Sequence, residues 1–305
     1  MIEKFNFYDI YGYFLPGLAL IAVLWLPLGL VTHIWPKGDW GSALLTLALA
    51  YFLGHLMLYV STNVIPSNDL KKSRPEKERH PSETVLDADS SDFSQELREK
   101  IARAVAREFH LELNVKNSTG DHDKARKDAF LLARQRLILD NAQGYAEQFQ
   151  GMYSLTRGLV VTLWVGTAYY SGWVVSGLRW PLMFAVAIIL NFLLLLLLLN
   201  EEILILREED RKQKQKFEFY FALTFLLMFF TSGLALGCYY NVSRDVTVGL
   251  ALAAILALVL SFRCYTQYRY FTVRFATTIW RDFTAYALSH PTSGKPKRYS
   301  STLQR

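Results

Sequence analysis

Six stretches almost free of charge break up a chain that is otherwise rich in Lys, Arg, Asp and Glu: Pro16 to Trp35, Ala43 to Val60, Leu159 to Leu178, Pro181 to Leu199, Phe219 to Tyr239 and Val248 to Phe262. A helix of about 20 apolar residues rises roughly 30 Å, the thickness of a bilayer's hydrocarbon core. Backbone polar groups have no water to bond there, so each stretch is predicted to be a helix. Overall composition, 52% hydrophobic and 20% charged over 305 residues, would also fit a large soluble domain; the segregation of the charges decides the class. The expected fold is all-α: a polytopic membrane protein with six transmembrane helices and a small cytoplasmic helical insert between spans two and three.

Basic residues near span ends stay on the cytoplasmic side. With both termini inside, the outer loops hold only Lys37, Arg179 and Arg244, leaving 30 of the 33 Lys and Arg in the cytoplasm. Trp35, Trp40, Trp173 and Trp180 then fall at the outer interface, where an amphipathic ring prefers to sit. The first span is expected to remain as an anchor. Cys238 and Cys264 lie near opposite faces of the membrane and are expected to be free thiols.

Four regions follow: 1–65, an interfacial N-terminus and the first hairpin of spans; 66–157, a cytoplasmic linker and helical insert; 158–262, spans three to six; and 263–305, an amphipathic helix and basic tail. The linker's start, "PSNDLKKSRPEKERHPSETVLDADSSD", is too polar to offset its ordering entropy. Phe93, Leu97, Ile101, Val105 and Phe109 then recur at steps of four, one stripe down a helix for which Ser91 or Asp92 is the expected cap. A second pattern carries Ala129, Phe130, Ala133, Leu137, Ala142, Tyr145, Phe149 and Met152, and is expected to run unbroken through Gly144 and Gly151 into span three. Two helices this small need a partner for their apolar faces: another subunit, the inner ends of the spans, or the C-terminal segment.

The net charge of +6 is not spread evenly. From Pro66 to Gln150 there are 15 basic and 16 acidic residues, a balance that argues against nucleic acid as a partner of the insert. From Arg263 onward eight basic residues face a single acid, Asp282. Basic residues immediately cytoplasmic to a span find anionic headgroups as their nearest partner, and Arg263, Arg269, Arg274, Arg281, Lys295, Lys297 and Arg298 are the expected contacts, on a helix lying at the inner leaflet.

The N-terminal run Tyr8-Asp9-x-x-Gly12-Tyr13-x-x-Pro16-Gly17 precedes span one, and "YFLGHL" lies within span two. Pro16 tolerates a first helical turn, the tyrosines suit an interface, and Gly12 allows a turn between an in-plane segment and the span. These residues are read as an anchor ahead of a partner-binding site. The run, together with "YFLGHL", resembles the start of a loose group of uncharacterised bacterial inner-membrane proteins, some found in phage-defence neighbourhoods. The resemblance covers about the first sixty residues; it implies a bacterial inner membrane and a defence effector, and transfers no catalytic residue.

His55 and Asn191 are the polar groups nearest the span centres, read as interhelical hydrogen-bonding residues ahead of proton, ion or ligand sites. Gly233 and Gly237 form a small-xxx-small pair suited to close helix approach. "GDHD" at Gly120 to Asp123 fits a helix start better than a metal site, since adjacent residues cannot all face one ion. His80 and His110 have no visible partner. Glu201 and Glu202 point apart on a helix and make a poor catalytic pair. No phosphate loop, nucleophile elbow or HExxH motif occurs, so no cofactor, metal or catalytic residue is expected. The expected function is a non-enzymatic oligomeric inner-membrane effector or scaffold coupling a cytoplasmic signal or protein partner to the bilayer; the alternative is a channel or secondary transporter, with Thr162, Thr167, Thr231 and Ser232 as candidate pore-lining groups.

Overall fold

The computed structural model describes residues 8–35, 38–65, 80–87, 90–113, 120–142, 144–177, 189–191, 211–240 and 242–290. Every regular element among them is helical: α1 (Leu15–Thr32), α2 (Trp40–Val64), α3 (Pro81–Thr84), α4 (Gln95–Phe109), α5 (Gly120–Leu139), α6 (Ala146–Ser176), α7 (Arg211–Tyr240) and α8 (Arg244–Ser289), with a π-helical turn, Asp9–Phe14, directly before α1. Among the described residues, five helices are long and apolar enough to cross a membrane: Asp9–Thr32, α2, α6, Tyr220–Tyr240 and α8. This is the pattern of a multi-pass membrane protein. The expected span from Pro181 to Leu199 lies outside the described residues except for 189–191.

The chain divides into two compact units, Met1–Ser67 with Gln148–Phe271, and Asn68–Glu147 with Thr272–Arg305. In the first unit, Leu20, Met57, Val60, Val161, Val165 and Phe225 form one buried cluster, and Tyr169, Tyr170, Trp173, Leu250 and Ala254 a second. Trp173, expected in an interfacial belt, is fully buried instead. Glycines make the room for it: a Cβ on Gly233 would lie 3.1 Å from the Trp173 ring and 2.2 Å from the Tyr169 carbonyl oxygen, so α6 and α7 cross nearly backbone to backbone. Trp40, by contrast, is exposed, at the start of α2. There Asp39 caps the helix, accepting from the Ser42 backbone N–H at 2.7 Å, and that bond holds its carboxyl below the usual carboxylate range.

The second unit is built on the expected stripe. Phe93, Ile101 and Val105 are buried, as are Ala129, Phe130, Ala133 and Leu137. Ser94, rather than Ser91 or Asp92, caps α4 by accepting from the Leu97 N–H at 3.3 Å. Among the three partners open to these helices, the structure selects the C-terminal segment: Phe275, Ile279, Trp280 and Phe283 are buried, Phe130 meets both Phe275 and Trp280 edge-on, and Phe109 stacks on Phe283 at 5.2 Å. The apolar face expected to lie on the inner leaflet is therefore buried in protein. Asp87, three residues past the end of α3, anchors the same unit by accepting from Arg126 at 2.5 Å with both side chains almost fully buried.

The expected continuous helix through Gly144 does not form. α5 ends at Leu139, Asn141 adopts a left-handed conformation (φ 52°), and the Ala142 N–H reaches back to the Leu137 carbonyl at 2.8 Å while that of Asn141 reaches Ile138, a glycine-type stop with Asn in glycine's place. Gly144 is also left-handed (φ 51°), and α6 starts only at Ala146, with Gly151 inside it.

Candidate interaction site on the first helical hairpin

The N-terminal run is helical from its first described residues. In the turn Asp9–Phe14 the Leu15 N–H bonds to the Ile10 carbonyl, five residues back rather than four. The wider turn has a local reason: Pro16 follows, and a proline ring collides with the carbonyl four residues before it in a regular α-helix. Gly12, expected to allow a bend out of the membrane plane, lies buried inside this turn, and no break separates it from span one. A Cβ there would sit 3.5 Å from both the Tyr8 ring and the Ser154 Cβ.

Helices α1 and α2 meet at two of the motif's residues. A Cβ on Gly17 would lie 1.7 Å from the Ala50 carbonyl oxygen, and one on Gly54 equally 1.7 Å from that of Tyr13. Only glycine fits either position. The close crossing brings the Tyr13 ring onto His55, stacked with centroids 3.7 Å apart, while Tyr51 meets the imidazole edge-on at 4.7 Å and Tyr8 meets Tyr13 edge-on at 5.3 Å. The two short sequences singled out separately, one before span one and one within span two, are thus a single aromatic cluster. Asp9 lies in the first turn, partly buried. On the other side of α1, Pro16 packs against Gly158, whose Cβ would lie 2.9 Å away, and the Thr162 hydroxyl approaches the Pro16 carbonyl at 3.5 Å.

A residue that sequence reasoning missed closes this hairpin at the C-terminal end of α2. Arg157 is buried and donates to the carbonyls of Ser61, in the last turn of α2, at 3.2 Å and of Ile65, the residue that caps it, at 2.7 Å, with its guanidinium over the Tyr268 ring at 5.4 Å. A cation there complements the negative end of the helix. The signal in the sequence was its position, two residues before an uncharged span.

Asn191 donates to the Met228 carbonyl and the Thr231 hydroxyl at 3.0 Å and to the Ser232 hydroxyl at 2.6 Å, a helix-packing role. The candidate pore hydroxyls are all engaged: Thr167 with Leu163, Thr231 with Leu227 and Ser232 with Met228, besides Thr162. Gly237 lies against Ser176, 2.1 Å from its Oγ if a Cβ were added, and so extends the crossing at Gly233. Arg263 and Arg274 are exposed, Arg269 is partly buried, and Arg281 lies over the Phe93 ring at 5.6 Å; Lys295, Lys297 and Arg298 fall outside the described residues, as do Glu201 and Glu202. His80 caps α3, accepting from the Ser82 N–H, and His110 ends α4 in a left-handed conformation (φ 56°). Asp121 to Asp123 lie in the first turn of α5, and no group of His, Cys, Asp and Glu among the described residues is placed to hold a metal ion. Cys238 and Cys264 are free thiols. Compared with family models, curated proteins and solved structures, the chain matches none.

Proposed function

We propose that the chain is a non-enzymatic, oligomeric effector or scaffold of a bacterial inner membrane, both termini cytoplasmic, which couples a signal or protein partner received by the second unit to the bilayer, as in phage defence. The observation that carries this reading is α8. Its 46 residues run about 70 Å without interruption, more than twice the hydrocarbon thickness. Residues 244–271 belong to the first unit and 272–289 supply core side chains to the second, so an altered packing of one segment has a stiff element through which to act on the other. Exposed Arg263, just beyond the apolar stretch, suits an anionic headgroup. The channel or transporter alternative has weaker support, because the hydroxyls it would use meet other helices: Thr162 the Pro16 carbonyl, Thr167 the Ala254 carbonyl, and Thr231 and Ser232 the Asn191 amide.

The test measures dye permeability, membrane potential and phage plating in cells expressing the full chain or a chain lacking residues 66–122. Permeabilisation or protection that depends on the insert supports an effector. Identical behaviour of both chains and of empty cells under every phage tried overturns it.

A further inference from the structure

His55 is three residues from the midpoint of α2, hence about 5 Å along its axis, well inside a hydrocarbon core about 30 Å thick. Yet it is exposed, and its contacts are ring faces and edges, Tyr13 and Tyr51, with no hydrogen bond to any described residue. Lipid tails offer an imidazole nothing to bond, and a polar group left unpaired in hydrocarbon is costly. Tyr51 and Tyr59, both exposed, lie four residues either side on the same face, and exposed Thr62 continues it. Buried Ala50, Gly54, Met57 and Ser61 form the opposite face, against the rest of the unit.

The chemistry of this stripe selects its occupant. Copies of one chain inserted in the same orientation are related by an axis normal to the membrane, so each residue meets its own counterpart at the same depth. Such an interface needs groups able to pair with themselves. A neutral imidazole has one donor and one acceptor, and phenol and threonine hydroxyls are both at once; the stripe carries no donor-only Lys, Arg or Trp and no acceptor-only carboxylate. We propose that the exposed face of α2 bearing Tyr51, His55, Tyr59 and Thr62 is a two-fold interface between copies of this chain, in which the His55 imidazole of one protomer donates to that of its partner. The proposal rests on the oligomeric reading above and names its contact surface. The Gly17 and Gly54 crossing holds Tyr13 against the imidazole, fixing the ring that must meet its counterpart.

The experiment replaces Cys238 and Cys264 by Ser and introduces single cysteines, Tyr59→Cys or Thr62→Cys on the stripe, and Leu49→Cys, exposed but about 120° around the helix. Oxidation in native membranes should give a doubled-mass species for the first two and not for Leu49→Cys. In the unmodified chain, His55→Phe, which keeps the ring stack, should weaken self-association in liposomes at least tenfold by energy transfer on dilution with lipid, and His55→Gln should recover part of it. No doubled-mass species on the stripe, an equal one at Leu49→Cys, a cross-link to a different protein, or full association of His55→Phe each overturns the interface. If the chain still associates by energy transfer, only this surface falls; if single copies persist at every lipid dilution, the oligomeric reading falls with it.

Discussion

The Trp280 indole N–H donates to the Ser82 carbonyl at 3.2 Å, joining residues 198 positions apart in the core of the second unit. Trp280 is fully buried, with Phe130 edge-on at 5.6 Å. Trp280→Ala removes the ring and leaves a buried carbonyl without its donor, a loss of about 3–5 kcal/mol for this unit. Trp280→Phe keeps much of the volume and should cost less. Limited proteolysis of the purified protein checks both: cleavage between Pro81 and Leu139 should be fast in Trp280→Ala and intermediate in Trp280→Phe.

Glycine positions give a second prediction with an internal control. Gly54→Ala drives a methyl into the Tyr13 carbonyl, where the added Cβ would lie 1.7 Å from the oxygen, and neither backbone can yield without parting α1 from α2. At Gly249, in α8, a methyl would meet nothing within 4 Å. Gly54→Ala should therefore lower the thermal midpoint in detergent sharply or abolish the folded protein, while Gly249→Ala should be neutral or stabilise by up to about 1 kcal/mol. Fluorescence-detected size exclusion after heating separates these outcomes.

How much of this was legible in the sequence varied with the solvent each segment faces. In the second unit the stripe from Phe93 to Val105 was readable because water penalises apolar side chains on the outer face, so burial leaves a period. Its partner was not singled out, since nothing local in Phe275 to Phe283 distinguishes a face packed on protein from one lying on lipid. The same ambiguity explains Trp173: inside a bilayer both lipid and protein are apolar, and hydropathy does not separate buried Trp173 from exposed Leu252. The quoted runs around Gly17 and Gly54 were visible as motifs; their meeting was not, because it depends on the crossing of two helices.

Arg157 carries the third prediction. Its guanidinium donates to the Ile65 carbonyl just past α2 and shares the Ser61 carbonyl with the Ile65 N–H, and it lies over Tyr268. Arg157→Leu leaves the Ile65 carbonyl without this donor, at a cost of about 1–3 kcal/mol, whereas Arg157→Lys keeps the charge but loses the fork that reaches several oxygens. The expected order of thermal midpoints is wild type, Lys, Leu. A Leu variant as stable as wild type would show that water or lipid headgroups serve that carbonyl equally well.

Asp282 supplies a pH dependence of definite sign. It lies 20 residues beyond Phe262, about 30 Å along α8 and outside the apolar stretch, and its Oδ2 is 3.0 Å from the position of a Cβ on left-handed Gly144. That oxygen is buried with no hydrogen-bond partner, and burial pushes the carboxyl up from 3.8 to about 6. The folded state thus holds a proton that the unfolded chain has already released between those two values. The contribution of this group to stability is fully present below about pH 4, declines as pH rises through 6, and is flat above. Asp282→Asn removes the charge, so the variant should gain stability over wild type at pH 7.5, by about 2–4 °C in thermal midpoint, and the difference should shrink towards pH 4. Subtracting the two midpoint curves cancels the other carboxylates common to both proteins. A difference independent of pH would place the effect in packing against Gly144 and not in the proton.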